Sequence, residues 1–259
     1  MPKEKIASNE EFLKKIAFGR ELLPKQKNNL ELVFNKIKEQ LKSFNENLII
    51  SYGGSYARNT LIKEVPKLDI IVYWPKESDK DAEIVHKRLG LFLKKSWRKA
   101  KPKNLGWEIP FKSDFHIDII PGVLKDEGNQ YASFYNAIIE EEIETSIKLQ
   151  DDYIKDNNRM ELIRLLKIWK YRRGVPLHNF ILELLCVKYC KGISRKELEK
   201  QLLRVFNYLL KDIEDLNIKD PINKENDLSY LMDEEDLQLT AKFVQEAVES
   251  KTWNKVFKK

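Results

Sequence analysis

The chain has 259 residues, 42% of them hydrophobic and 34% charged, which suits one large folded domain or two smaller lobes and excludes a disordered chain. No apolar run approaches the roughly 20 residues of a membrane helix, and the opening MPKEKIASNEEF lacks the apolar core of a secretion signal, so a cytoplasmic protein with no membrane partner is expected. The net charge of +6 is a weak pointer to a polyanionic partner such as a nucleotide or RNA, although abundant Lys and Glu also fit a thermophile or an AT-rich genome.

Two helices are predicted first, Glu10–Arg20 and Pro24–Phe44, the second with Leu30, Val33, Phe34, Ile37 and Leu41 on one stripe. A short strand, Leu48–Ser51, runs into Tyr52-Gly53-Gly54-Ser55 and a brief helix over Tyr56–Leu61. A strand over Leu68–Trp74 stops at Pro75, and a helix is predicted for Asp79–Ser96. Strands Trp107–Phe111 and Asp114–Ile120 follow, the latter ended by Pro121-Gly122. Beyond residue 130 the strand signals fade and four amphipathic helices are predicted: Met160–Arg173 stopped by Gly174, Asn179–Cys190, Arg195–Leu210 capped by Ser194, and Glu234–Ser250. Asn217–Tyr230 reads as a polar loop. Cys186 and Cys190, one helical turn apart, read as buried reduced thiols.

The chemistry concentrates in three pieces. Strand alternation puts Lys67, Asp69, Ile71 and Tyr73 on one face of the second strand, and Leu68, Ile70, Val72 and Trp74 on the other. In the last strand His116 and Asp118 oppose Phe115, Ile117 and Ile119. An acid in an otherwise apolar strand needs a partner, and on neighbouring strands Asp69 and Asp118 would converge on one cation. The Gly53-Gly54-Ser55 turn, set before a short helix, presents backbone N–H groups to an anion.

At these residues the chain resembles the nucleotidyltransferase superfamily of the DNA polymerase β type. YGGSYARNTLIKEVPKLDIIVYW is similar to that family's Gly-Ser turn and first acidic strand, and FHIDIIPG to the strand with its third acid. LIRLLKIWKYRRGVPLHNFILELL and DPINKEND resemble later segments of one branch, which holds the bacterial cyclic-oligonucleotide synthases (CD-NTases), the oligoadenylate synthetases and the archaeal CCA-adding enzymes. The match runs in order through nearly the whole chain. It implies an α+β fold: a polymerase β-like lobe with a mixed sheet and N-terminal helices over residues 1–130, and a helical substrate-binding lobe over 131–259. It implies an NTP, ATP or GTP, in a cleft between the lobes, and NMP transfer to a hydroxyl of RNA or of a second nucleotide. An antiviral setting is implied for the bacterial members. By resemblance Gly54 and Ser55 would hold the β- and γ-phosphates, Lys167 and Asn179 would contact phosphate, and Asp69 and Asp118 would be catalytic ligands to Mg²⁺ or Mn²⁺.

One position departs from the family. The DIIVYW continuation makes Asp69 the second acid of the usual pair, so Lys67 stands where the first metal-binding aspartate belongs. An ammonium there reverses the local charge and repels a divalent ion on the order of several kcal/mol. The expected consequence is metal lost or reduced to one ion, with Lys67 pairing Asp69 and Asp118 itself. The alternatives are Glu64 serving as a substitute ligand, a nucleotide-binding pseudoenzyme, and an introduced substitution. The run Lys94–Lys103, six basic residues in ten with no acid, is a candidate nucleic-acid contact, and its plainer reading is a helix end favoured by the helix dipole.

Overall fold

The computed structural model describes every residue except 1–7, 77–80, 112–114, 127, 129, 214 and 258–259. The fold is α+β, in two compact units that the chain enters more than once. One comprises residues 22–153 and 220–226; the other comprises 1–21, 154–219 and 227–259.

The first unit is a mixed sheet with helices. Its strands are β1 (Ile49–Gly53), β2 (Lys67–Trp74), β3 (Lys101–Pro102), β4 (Trp107–Phe111), β5 (Phe115–Leu124), β6 (Ala132–Asn136) and β7 (Glu141–Thr145). Their order is β1-β2-β5-β4-β3, with β6 pairing both β5 and β7. Only β2 and β5 run parallel; the other pairs are antiparallel. Helix α2 (Pro24–Phe44) lays Leu30, Phe34, Ile37 and Leu41 on one sheet face, and α4 (Ala82–Ser96) adds Val85, Leu89 and Leu93. They meet Leu68, Ile70, Val72 and Trp74 of β2 and Ile117 and Ile119 of β5, the set that alternation assigns to that face. Tyr52 stacks on Phe34 with ring centroids 3.8 Å apart and Tyr73 meets Phe134 edge-on, so these rings are core rather than open platforms. On the opposite face a smaller cluster of Ile71, Tyr73, Leu124, Ala132, Phe134 and Ile147 covers the far half of β2 and β5. It leaves the start of both strands to polar residues.

The structure differs from the sequence expectation here. Pro121-Gly122 does not end β5, which continues to Leu124. β4 pairs β5 only as far as Ile119 and pairing with β6 starts at Val123, so Pro121 lies where β5 has a ladder neighbour on one side alone, the β2 side. A Cβ on Gly122 would stand 2.6 Å from the Phe134 ring, so this glycine seats the ring. Two strands, β6 and β7, and helix α5 (Ile147–Asn157) occupy a stretch where strand signals had faded, and the boundary expected at residue 130 moves to about 153. The predicted helix start at Asp79 and the strand residue Asp114 lie outside the described residues.

The second unit is helical: α1 (Asn9–Ala17), α6 (Met160–Arg173), α7 (Asn179–Tyr189), α8 (Leu198–Asp212), α9 (Glu234–Val248) and α10 (Trp253–Phe257). Helix α1, expected with the sheet, packs here, against α6 and α8. Its Glu10 carboxylate accepts from the backbone N–H groups of Leu198 and Glu199, at 3.1 and 2.9 Å, and so caps α8. Ser194 does not cap that helix, which begins after Glu197. Gly174, with φ +68, ends α6 in the left-handed conformation. Cys186 and Cys190 are buried free thiols, and burial pushes the Cys190 thiol up to about 11. The 220–226 loop joins the sheet unit through Asp220, whose carboxylate accepts from Thr145 Oγ1 (2.6 Å) and Gln150 Nε2 (2.8 Å). No helix among the described residues is long and apolar enough to cross a membrane.

Candidate functional site

Registers across four strands bring one row of residues together. Gly53 of β1 pairs with Asp69 of β2, Asp69 with Asp118 of β5, and Asp118 with Glu108 of β4. Directly paired residues share a sheet face, so three carboxylates stand side by side. Such a row requires cations, and the chain supplies its own. Lys67, one pleat behind Asp69 on the same face, places Nζ 3.1 Å from Asp69 Oδ1 and 2.7 Å from Asp118 Oδ2. Lys103 holds Glu108 at 2.9 Å, and His116 Nδ1 lies 3.8 Å from the same carboxylate.

The electrostatics follow from these distances. Burial alone would lower the Lys67 ammonium, but Asp69 and Asp118 more than offset it and hold it above the usual lysine range. Burial raises the Asp118 carboxyl, with Lys67 opposing, and the hydrogen bond from Lys103 lowers Glu108. Asp118 Oδ1 is buried with no hydrogen-bond partner among the described residues. The Lys67 side chain keeps 36% of its surface exposed, while Asp69 and Asp118 keep 13% each.

The glycine turn is built against this row. Gly54 has φ +65, and a Cβ on it would lie 1.9 Å from Asp69 Oδ2, so only glycine fits beside that acid. Helix α3 (Gly54–Ala57) carries the buried Ser55, whose carbonyl accepts from Thr60 N at 2.9 Å. Behind it the buried Arg58 reaches Asp151 of α5 at 2.5 Å and fixes the turn to the unit.

Gly54, Ser55, Lys67, Asp69 and Asp118 thus come together, as their spacing predicts. Lys167 and Asn179 stand in the helical unit and are held by other residues. The Lys167 ammonium donates to Glu183, in a pair whose side chains keep 5% and 0% of their surface, and Asn179 Oδ1 accepts from Lys170 Nζ at 2.9 Å. Glu108 and Glu183 were not singled out from the sequence. Glu108 could have been: it alternates with the buried Trp107 and Ile109, which puts it on the acid face. Glu183 sits in an almost wholly apolar helix, which signals a buried partner but not which one.

The donor set does not fit a pair of divalent ions. Two carboxylates face the position between β2 and β5, and an ammonium already bridges them. Among the described residues no group of three or more His, Cys, Asp or Glu could hold a metal, so Glu64 does not complete one.

Neither a family model nor a curated protein sequence matches the chain. Solved structures do. CdnC of E. coli MS115-1 with ATP is similar at a TM-score of 0.71 and 19% identity, over 97% of this chain and 98% of that one. The CD-NTase CdnG of Bradyrhizobium diazoefficiens in complex with GTP gives 0.75 and 12%, over 97% and 95%. The cyclic dinucleotide synthase CdnE of Elizabethkingia meningoseptica, with GTP and Apcpp, gives 0.67 and 15%, over 96% and 99%. At such identities the likeness is one of fold: over nearly the whole chain the fold is similar to that of these CD-NTase structures.

Proposed function

We propose that the chain is a nucleoside triphosphate-binding protein on a nucleotidyltransferase scaffold, with its acid pair closed by its own lysine. The observation that carries this reading is the Lys67 ammonium seated on both Asp69 and Asp118, beside a glycine turn shaped to their contour. The turn offers backbone N–H groups to phosphate oxygens, and carboxylates partly neutralised by Lys67 repel them less. ATP or GTP is the proposed ligand, in keeping with the nucleotides named with the similar structures. Of the candidates in the helical unit, Asn179 is engaged by Lys170 and Lys167 by Glu183, so neither supports the reading. Mg²⁺ or Mn²⁺ could serve only once Lys67 yields its place.

A second reading is favoured by what remains intact. Gly54, Ser55, Asp69 and Asp118 keep the arrangement that nucleotidyl transfer to a hydroxyl of RNA or of another nucleotide would use, as in second-messenger synthesis for antiviral defence. One experiment separates the two: pyrophosphate release from ATP and GTP with Mg²⁺ or Mn²⁺, in the unaltered chain, in Lys67→Asp and in Lys67→Ala. The first reading expects release only from Lys67→Asp, which supplies the missing carboxylate. Turnover by the unaltered chain would sink it.

A further inference from the structure

We infer that Lys67 is a tethered cation, and that the ligand of this site is the metal-free nucleoside triphosphate rather than its magnesium complex. This rests on the nucleotide-binding reading and adds to it the ionic form in which the ligand is taken.

Three observations carry the inference. The first is occupancy. An ammonium at 3.1 and 2.7 Å from carboxylates of adjacent strands fills the space in which a free cation would bridge them, and it cannot diffuse away because its backbone is in the ladder opposite His116. The second is charge. Asp69, Asp118 and Lys67 sum to one negative charge instead of two, and Lys103 offsets Glu108 in the same row. A triphosphate therefore meets a row whose repulsion is largely cancelled before any ion arrives, while a divalent ion meets an ammonium that repels it. The third is donor capacity. An ammonium has three N–H donors and the two carboxylates engage two. With 36% of the side chain exposed, a donor remains for a phosphate oxygen, which is the service a bridging metal renders. The Lys167–Glu183 pair has no such reserve of exposure, and Lys103 of the basic run meets a single carboxylate, Glu108.

The test is calorimetric titration of the full chain with ATP and with GTP, in EDTA and in excess Mg²⁺. The expected dissociation constants agree within about threefold between the two buffers. Lys67→Met should lose roughly tenfold or more in EDTA and regain affinity with Mg²⁺, and Lys67→Arg should keep the affinity in EDTA. Circular dichroism confirms that each variant is folded. A second measurement uses Mn²⁺ alone, followed by electron paramagnetic resonance: the unaltered chain should leave the ion free, and Lys67→Asp should take it up. Nucleotide binding by the unaltered chain that requires Mg²⁺, or Mn²⁺ capture abolished by Asp118→Asn, overturns the inference while the nucleotide reading stands. No affinity for either nucleotide in both buffers overturns the nucleotide reading itself, and the inference with it.

Discussion

The molecule holds two lysine–carboxylate arrangements that differ in their exposure. In the helical unit, Lys167 and Glu183 are closed off, at 5% and 0% of their side-chain surface. In the sheet unit, Lys67 is shared by Asp69 and Asp118 and keeps 36%. A closed pair is shielded from an incoming ligand, and each charge offsets part of the other's desolvation. A half-open lysine with two acids gives up less solvation and can exchange partners. The first arrangement belongs to the integrity of its unit, and the second can act as a site.

The largest expected effect follows from the closed pair. Glu183→Leu takes from the buried Lys167 ammonium the carboxylate it donates to, and a loss of about 3–5 kcal/mol is expected. Thermal unfolding should register it as a fall of about 10 °C or more. Lys167→Met combined with Glu183→Leu should recover most of the loss, because an apolar pair of similar size replaces both charges. If the double variant also retains ATP affinity, Lys167 is not a phosphate ligand and the contrast between the two lysines is sharpened. If it is stable yet fails to bind ATP, the contrast breaks.

Gly54→Ala comes next. The new Cβ would meet Asp69 Oδ2 and the backbone would be held at φ +65, together about 1–3 kcal/mol of strain. Because the turn and the acid must part, ATP affinity is expected to drop with the melting temperature. Gly19 has φ +73 with open space around it, so Gly19→Ala isolates the backbone contribution and should leave ATP affinity unchanged.

Lys67→Met tests the open arrangement and should cost less than breaking the closed one, about 1–2 kcal/mol near neutral pH. The sign of its pH dependence is informative. Burial already raises Asp118, with Lys67 as the main opposing influence, so removing the ammonium raises Asp118 further. A carboxyl whose folded value lies above its unfolded one adds stability at low pH and loses it as pH climbs through the folded value. Lys67→Met should therefore approach the unaltered chain in melting temperature as pH falls from 7 towards 4. A constant gap would show that the two carboxylates are not coupled.

What could be read from the sequence follows from where its rules are strict. Alternation along KLDIIVYW and FHIDII fixes which side chains share a face, and both faces came out as read. The displaced acid at Lys67 was visible because the flanking motif is dense. Lys167 and Asn179 fall on the predicted helices, but their pairing with Glu183 and Lys170 is not legible there, since a helix pattern gives a face and not the neighbour across it. β6 and β7 are hard to read because ASFYN and EEIET hold polar residues whose partners lie outside the strand itself: Ser133 donates to Glu142 of the neighbouring strand at 2.5 Å, and Thr145 donates to Asp220 at 2.6 Å. The cap of α8 by Glu10 joins residues 188 positions apart, beyond any local signal.

The smallest expected effect concerns a third buried titratable group, one with no acid at hand. His86 of α4 is 4% exposed and lies between the Trp107 and Tyr135 rings, with centroids 5.3 and 5.4 Å away. Burial lowers its value below that of a free histidine, a backbone bond at Gly106 partly opposes this, and the neighbouring Lys87 adds to the lowering. Where Lys67 keeps its charge because two carboxylates receive it, His86 is pushed towards its neutral form because burial outweighs the one backbone bond at Gly106. For a base lowered in the folded state, the unfolded chain binds the proton first, so stability is complete above about 6.5 and is lost as pH falls through the folded value. One such group tilts the stability curve by at most about 1.4 kcal/mol per pH unit. Chemical denaturation at several pH values between 5 and 8 should show this slope in the unaltered chain and a shallower one in His86→Gln. The paired Lys67 contributes nothing in that range, since its value lies above the usual lysine range. A slope left unchanged by His86→Gln would place the titrating group elsewhere and deny that burial without a counter-charge is what sets this histidine apart.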